Sequence, residues 1–268
     1  DAAASLLSKI RTIAAFIHRK SLGQPIVYPD PSRSYCSNFF HMMFSMPYNE
    51  FIPSRPLIDA LRIFLILHAD HEQTCSASTA RMVGSSGANL FVSVAAAVSA
   101  LWGPLHGSGN VEAVKMLQKI ADGDETLRST IDRAKDKESL LWGFGHPVYR
   151  DNDPRVPILR EAITTLLDSR EEADPLLEVA DQLVETARNE EYFIERRLYP
   201  NVDLYSGILL RAMSIPLEMF PVMFAIGRLP GWIAQWAEGW RAQARLHRPR
   251  QIYTGPSERH FVPIHRRS

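Results

Sequence analysis

Apolar positions recur at three- and four-residue steps along most of the chain. Leu6, Leu7, Ile10, Ile13, Ala14 and Ile17 form one such stripe, which turns a single helical face toward a core. Pro56 opens the segment PLIDALRIFLILHAD, a use of proline suited to a first helical turn. Residues 111–120, 155–167 and 174–189 repeat the amphipathic pattern. Residues 89–102 differ: they are apolar and alanine-rich all round, which predicts a helix buried on most sides. A further helix is predicted from Pro216, with Pro221 inside it, where a missing N–H should produce a kink. Period-two alternation is absent. Glycine and proline punctuate residues 84–87, 103–110, 143–154 and 227–231. The predicted fold class is all-α.

Composition narrows the function classes. The chain has 268 residues, 46% hydrophobic and 22% charged, enough for one or two globular domains. Thirty basic and thirty acidic side chains cancel, and no basic stripe precedes Arg248, Arg250, Arg266 and Arg267 near the end, so a nucleic-acid partner is not expected. Cys36 and Cys75 form no CxxC pair, which suits a reducing, cytoplasmic setting. No run long enough to span a membrane occurs, and no signal peptide is recognisable. A chain that starts at Asp1, already in helical pattern, is expected to be a piece of a longer product.

Chemistry concentrates in four loop-like islands. The first holds His68 and His71, three apart on one helical face; they read either as polar helix-end residues or as two metal ligands lacking a third. In the second, Gly103, Gly107 and Gly109 frame His106, either a turn histidine or one bared to a substrate. The third, GFGHPVYR at residues 143–150, sets His146 between glycines and Arg150, with Asp153-Pro154-Arg155 following. The fourth carries Asp203 where a new helix starts, so an N-terminal cap competes with a catalytic carboxylate. Walker, GxSxG and GxGxxG signatures are absent. Two histidines, a carboxylate and several arginines suit proton abstraction beside a carbonyl, with a dianion held by guanidinium groups.

These motifs, in this order, resemble the citrate synthase family, and within it the bacterial type with long chains. The resemblance is carried by SLGQPIVYP, LILHADHEQ, SSGAN, LWGPLHG, GFGHPVYR with DPR, LYPNVDLYSG, AIGRLPGWIAQW and RPRQIYTG, and runs to about Thr254. It implies a large domain (residues 1–108 and 215–268, without the usual N-terminal portion) and a small, coenzyme A-binding domain (109–214), with a cleft between them. It also implies a homodimer or higher homo-oligomer and no cofactor or metal, coenzyme A thioester being a substrate. The implied reaction, an entry step of the tricarboxylic acid cycle, condenses acetyl-CoA with oxaloacetate and hydrolyses citryl-CoA.

Carried over onto this sequence, the resemblance makes Asp203 the base that removes the acyl methyl proton. His106 becomes the donor to the thioester oxygen, and His146 the acid at the ketone. His71, Arg155, Arg228 and Arg248 become oxaloacetate ligands, Arg248 reaching in from a partner subunit. Gly143, Phe144, Gly145 and Arg150 become the coenzyme A loop. The chain departs from the family pattern at Pro147, Ser108, Pro221 and Gln235, the last in place of a histidine. The alternatives are a 2-methylcitrate synthase, since one methylene changes selectivity by only ~1–3 kcal/mol, and a truncated, non-catalytic paralogue that serves as an interaction partner. If these 268 residues are all that exists, helices such as residues 89–102 are expected to expose apolar surface, with strong oligomerisation through the large domain or low solubility as the result.

Overall fold

The computed structural model describes residues 1–103 and 105–267; Pro104 and Ser268 lie outside it. Among the described residues there are twelve α-helices, with two short 3-10 turns besides: α1 (Ala2–Ser21), α2 (Tyr35–Phe44), α3 (Arg55–His68), α4 (Cys75–Gly84), α5 (Leu90–Leu101), α6 (Gly109–Ala121), α7 (Leu127–Lys135), α8 (Arg155–Asp168), α9 (Pro175–Arg188), α10 (Glu191–Glu195), α11 (Val202–Ala212) and α12 (Phe220–Arg241). Extended pairing among the described residues is confined to two isolated bridges, Met46 with Asn49 and Phe144 with Pro200. The all-α expectation is borne out. Among the described residues no helix is long and apolar enough to cross a membrane.

Helix starts follow the local chemistry. Ser34, Ser54, Thr74, Asn89 and Thr126 each accept a backbone N–H from the first turn of α2, α3, α4, α5 and α7, satisfying donors the helix cannot. Pro175 occupies the first turn of α9 behind Asp174. The main apolar core joins α1–α3 to α6–α11 through residues such as Phe39, Phe40, Phe64, Leu117, Ile163, Leu183 and Ile208. A second core, built on Trp232, Leu229, Leu90, Val94 and Ala80, packs α12 between α4 and α5.

Three expectations are corrected. Pro221 stands in the first turn of α12, after a short 3-10 turn at Leu217–Met219, where its missing N–H has no helical partner to lose and no kink is needed. The proline truly inside that helix is Pro230. The glycines at 227 and 231 do not interrupt α12 either: side-chain carbons there would meet His68 at 2.9 Å and the Ala69 carbonyl at 2.1 Å, so they let α12 cross the end of α3 closely. Helix α5 is not buried on most sides. Phe91, Val92 and Val98 are exposed, as is Trp102 just beyond it, because the described chain supplies neighbours on one face only.

Candidate active site

Helix ends converge on one cluster of polar groups. The turn after α3 bears His71, and the start of α4 bears Ser76. His106 precedes α6, the 143–150 loop bears His146, Arg155 opens α8, Asp203 lies in the first turn of α11, and Arg228 projects from mid-α12. The rings of His71 and His146 are 4.8 Å apart, and Tyr149 packs on both, at 5.4 and 4.6 Å. Arg155 Nη2 lies 3.5 Å from His146 Nε2. Phe224 underlies both His106 and Arg228, at 6.1 and 4.9 Å. Arg155 and Arg228 are both close enough to act on the ionisation of Asp203.

Backbone donors fix the two imidazoles in opposite states. Trp232 Nε1 donates to Ser76 Oγ at 3.0 Å, and that oxygen lies 2.8 Å from His106 Nε2. The Ser76 N–H also points at that nitrogen, at 3.2 Å. His106 Nε2 is therefore an acceptor and the ring proton sits on Nδ1. In His146 the reverse holds: Nδ1 accepts from the Val148 and Tyr149 N–H groups at 3.0 and 3.2 Å, which leaves the proton on Nε2. Burial, followed by the charge of Arg228, lowers the His106 pKa. Burial, then His71 and Arg155, lowers that of His146 to about 4. Both rings are thus neutral donors at neutral pH.

Asp203 behaves oppositely. Burial outweighs the attraction of Arg155 and Arg228 and raises its pKa to about 6, a value suited to a base that must take and return a proton. Its carboxylate packs so tightly on Gly109 that a side-chain carbon there would lie 2.3 Å from Oδ2. Burial lowers the Arg228 pKa to about 10, and the guanidinium is tied to the His68 carbonyl by Nε at 2.6 Å. His71 Nε2 is buried without a hydrogen-bond partner. His68 belongs instead to the core: stacked on Phe64 at 4.1 Å, it donates Nδ1–H to the Phe64 carbonyl at 2.8 Å, and burial pushes its pKa down to about 3. Its burial against Phe64 separates His68 from the site that His71 faces, so the two histidines do not act as a pair.

The 143–150 loop is stitched to the start of α11. Gly145 N donates to the Tyr199 carbonyl at 2.7 Å, Asn201 N to the Gly143 carbonyl at 2.8 Å, and Asn201 Nδ2 to the Gly145 carbonyl at 2.7 Å. Gly143 needs its glycine twice over: φ is +82°, and a side-chain carbon would meet Leu204 at 2.7 Å. Phe144 forms the bridge to Pro200 and packs against Phe193. Arg150 is exposed and has no ion-pair partner among the described residues.

A model of the family described as "Citrate synthase, C-terminal domain" matches residues 1–250. The chain belongs to the citrate synthase family. It is 47% identical over 262 residues to Citrate synthase 1 of Mycobacterium tuberculosis, covering 97% of this chain and 61% of that protein. It therefore spans about three fifths of that curated relative's length. Among solved structures, citrate synthase from Pyrobaculum aerophilum superposes with a TM-score of 0.85 at 35% identity, over 99% of this chain and 64% of the other. A ternary complex of Thermoplasma acidophilum citrate synthase with carboxymethyl coenzyme A and oxaloacetate gives 0.87 at 31%, over 100% and 69%.

Set beside this citrate synthase framework, six of the seven catalytic and oxaloacetate candidates gather in the cluster. Arg248 does not: it lies in the exposed tail after α12, where His247 N donates to Ser85 Oγ at 2.9 Å. Sequence reasoning missed Ser76, whose N–H sets the His106 tautomer, Trp232, which donates to Ser76, and Tyr149, which packs on both His71 and His146. Gln235 gains a role too. It ties α12 to the turn bearing His71, through Gln73 at 3.0 Å and Asp70 at 3.3 Å, and also accepts from Arg81 at 2.9 Å. Contacts between distant segments reveal these roles; within the sequence Ser76 and Trp232 are ordinary helix residues, Tyr149 is one residue of its loop motif, and Gln235 stands out only as a departure from the family pattern.

Proposed function

We propose that this chain forms the active site of a citrate synthase, which condenses acetyl-CoA with oxaloacetate and hydrolyses citryl-CoA to citrate and coenzyme A. The observation that carries the reading is the pair of neutral imidazoles held in opposite tautomers beside a carboxylate of raised pKa. Asp203 takes a proton from the acetyl methyl group. His106 donates from Nδ1 to the thioester oxygen as enol character develops, so the charge is met by a preorganised donor. The enol carbon attacks the oxaloacetate ketone, whose oxygen takes a hydrogen bond and then a proton from His146 Nε2. Arg155, Arg228 and His71 Nε2 hold the carboxylates. The Thermoplasma relative, solved with a coenzyme A analogue and oxaloacetate together, supports the same substrate pair here.

In this reading Gly143, Phe144, Gly145 and Arg150 meet coenzyme A, and their stitching to Asn201 keeps thioester and base in register. No resident cofactor or metal is called on. The working unit is a homo-oligomer in the cytoplasm, whose second copy covers the bare side of α5 and lends Arg248. Residues 109–214 close on the remainder around substrate, excluding water. A thiol-release assay with citrate identified by mass, run with acetyl- and propionyl-CoA, tests the proposal. Release dependent on both acetyl-CoA and oxaloacetate is expected. Faster turnover of propionyl-CoA makes the chain a 2-methylcitrate synthase, and no release with either thioester overturns the catalytic reading. Arg155→Lys should raise KM for oxaloacetate, because a lysine cannot reproduce the planar donor pair.

A further inference from the structure

Asp153 is 1% exposed, yet it touches no expected substrate position. Its two oxygens carry four hydrogen bonds. Oδ1 accepts from Arg155 N at 3.0 Å and Arg155 Nε at 2.9 Å. Oδ2 accepts from Arg155 Nη2 at 2.8 Å and from Val202 N at 3.0 Å. Val202 is the first residue of α11, and Asp203 is the second. One buried carboxylate therefore grips both the guanidinium at the oxaloacetate end and the helix start that carries the base.

We propose that Asp153 is a positioning residue that couples Arg155 to Asp203, so that dicarboxylate binding and base placement are set by a single group. The inference rests on the citrate synthase reading of the site. A planar guanidinium clamped through Nε and Nη2 cannot rotate, and its Nη1 edge is left to face a ligand. The same clamp turns Nη2 toward His146 Nε2, so two donors stand side by side, His146 for the ketone oxygen and Arg155 for the adjoining carboxylate. Buried ion pairs contribute little net stability, so a purely structural role explains the arrangement poorly. Burial alone would raise the Asp153 pKa, but the hydrogen bonds from Arg155 and Val202 hold it below its usual range, so it stays charged.

Two substitutions separate the two arms. Asp153→Asn breaks the paired grip on Arg155 and removes the charge. Val202→Pro removes the N–H to Oδ2 while exchanging one buried apolar side chain for another of similar size, at a first-turn position that accepts proline, and leaves Arg155 clamped. In the purified protein, with folding checked by circular dichroism and thermal melts, Asp153→Asn should raise KM for oxaloacetate about 10-fold and lower kcat as well. Val202→Pro should lower kcat by a similar factor with KM within about 2-fold. In an Arg155→Lys background, Asp153→Asn should add less than about 2-fold to KM, because both act through one contact.

The pH profile gives a readout that loss of packing would not produce. Asp203 is faced by Asp153, which raises its pKa, and by Arg155 and Arg228, which lower it. Asp153→Asn should therefore move the acidic limb of kcat/KM to lower pH. A folded Asp153→Asn protein with unchanged KM, or additive KM effects with Arg155→Lys, overturns the proposal. So does Val202→Pro with unchanged kcat, which decides the matter alone if Asp153→Asn does not fold. A wild-type protein that neither binds oxaloacetate by calorimetry nor forms citrate overturns the reading of the site and this inference with it. A wild type that does both beside unmoved variants overturns the inference alone.

Discussion

Helices α11 and α5 have opposite surroundings, and the more apolar of the two, α5, is the less covered. In α11, every residue from Leu204 to Leu210 is buried, and α6, α8 and α9 enclose it. In α5, Leu90, Val94, Ala97 and Leu101 are buried, while Phe91, Val92 and Val98 face outward. The bare side continues through Trp102, Ile13 and Ile17 along a groove of about 280 Å3. Apolarity on all sides of a helix reports that something covers it, not that the same chain does. The enclosed helix carries Asp203 in its first turn, and a base whose pKa depends on burial needs such an immobile, dry support.

The largest effect that sharpens this contrast is catalytic. Asp203→Asn keeps the shape of the enclosed helix start and removes the base, so kcat should fall by about 10³-fold, measured by citrate formation at saturating substrates. A loss under tenfold would remove Asp203 from the role of base. Next comes packing. Leu209→Ala in the interior of α11 should cost about 3 kcal/mol by denaturant unfolding, since its neighbours cannot collapse into the space. Val98→Ala on α5 should cost well under 1 kcal/mol if the described chain alone sets stability. Equal costs would mean that α5 is as enclosed in solution as α11.

The fold class, and helices such as α1, α6, α8 and α9, were legible because their stripes are regular over ten residues or more. The site was legible as far as glycine-framed histidines and an aspartate at a helix start could mark it. What escaped depends on contacts between distant segments. Ser76 and Trp232 are 156 positions apart, and only packing brings them together at His106. Asp153 was visible in its motif, but its bond to Val202 spans 49 residues. Pro221 misled because the turn before α12 is 3-10, so the helix starts later than the periodicity suggests. The bare face of α5 was legible as apolar surface needing cover, but sequence pattern does not say which molecule supplies that cover.

A smaller effect tests the electrostatic side of the enclosed helix. Asp203 ionises near pH 6 in the folded protein, against 3.8 for an unperturbed aspartate. Between those values the folded state binds the proton more tightly than the unfolded chain. The stability contributed by this group is therefore present at low pH and lost as pH rises through the folded value. Asp203→Asn should be more stable than wild type at pH 8, by on the order of 1 kcal/mol, and the difference should vanish below about pH 4. An inactive variant with a raised Tm would show that the active site holds a base in an unfavourable place. A variant less stable at pH 8 would show that its carboxylate is held by attraction rather than disfavoured by burial.

The smallest expected change in fold stability discriminates most sharply on the α5 side. Val92 lies three residues after the cap Asn89, its N–H donates to Asn89 Oδ1 at 3.1 Å, and its side chain is 52% exposed. A glutamate at that position completes a capping-box arrangement and adds a negative charge near the positive end of the helix. For a bare α5, Val92→Glu should leave stability within about 0.5 kcal/mol, or raise it slightly. For an α5 covered by a second copy, the same charge enters an apolar interface by symmetry from both sides, and its desolvation opposes association. The two cases separate in light scattering rather than in unfolding. The proposed oligomer should dissociate, with a concentration-dependent mass in Val92→Glu where wild type holds a fixed one. An oligomer of unchanged mass and affinity would place the covering surface elsewhere, and the apolar side of α5 would then need a different occupant.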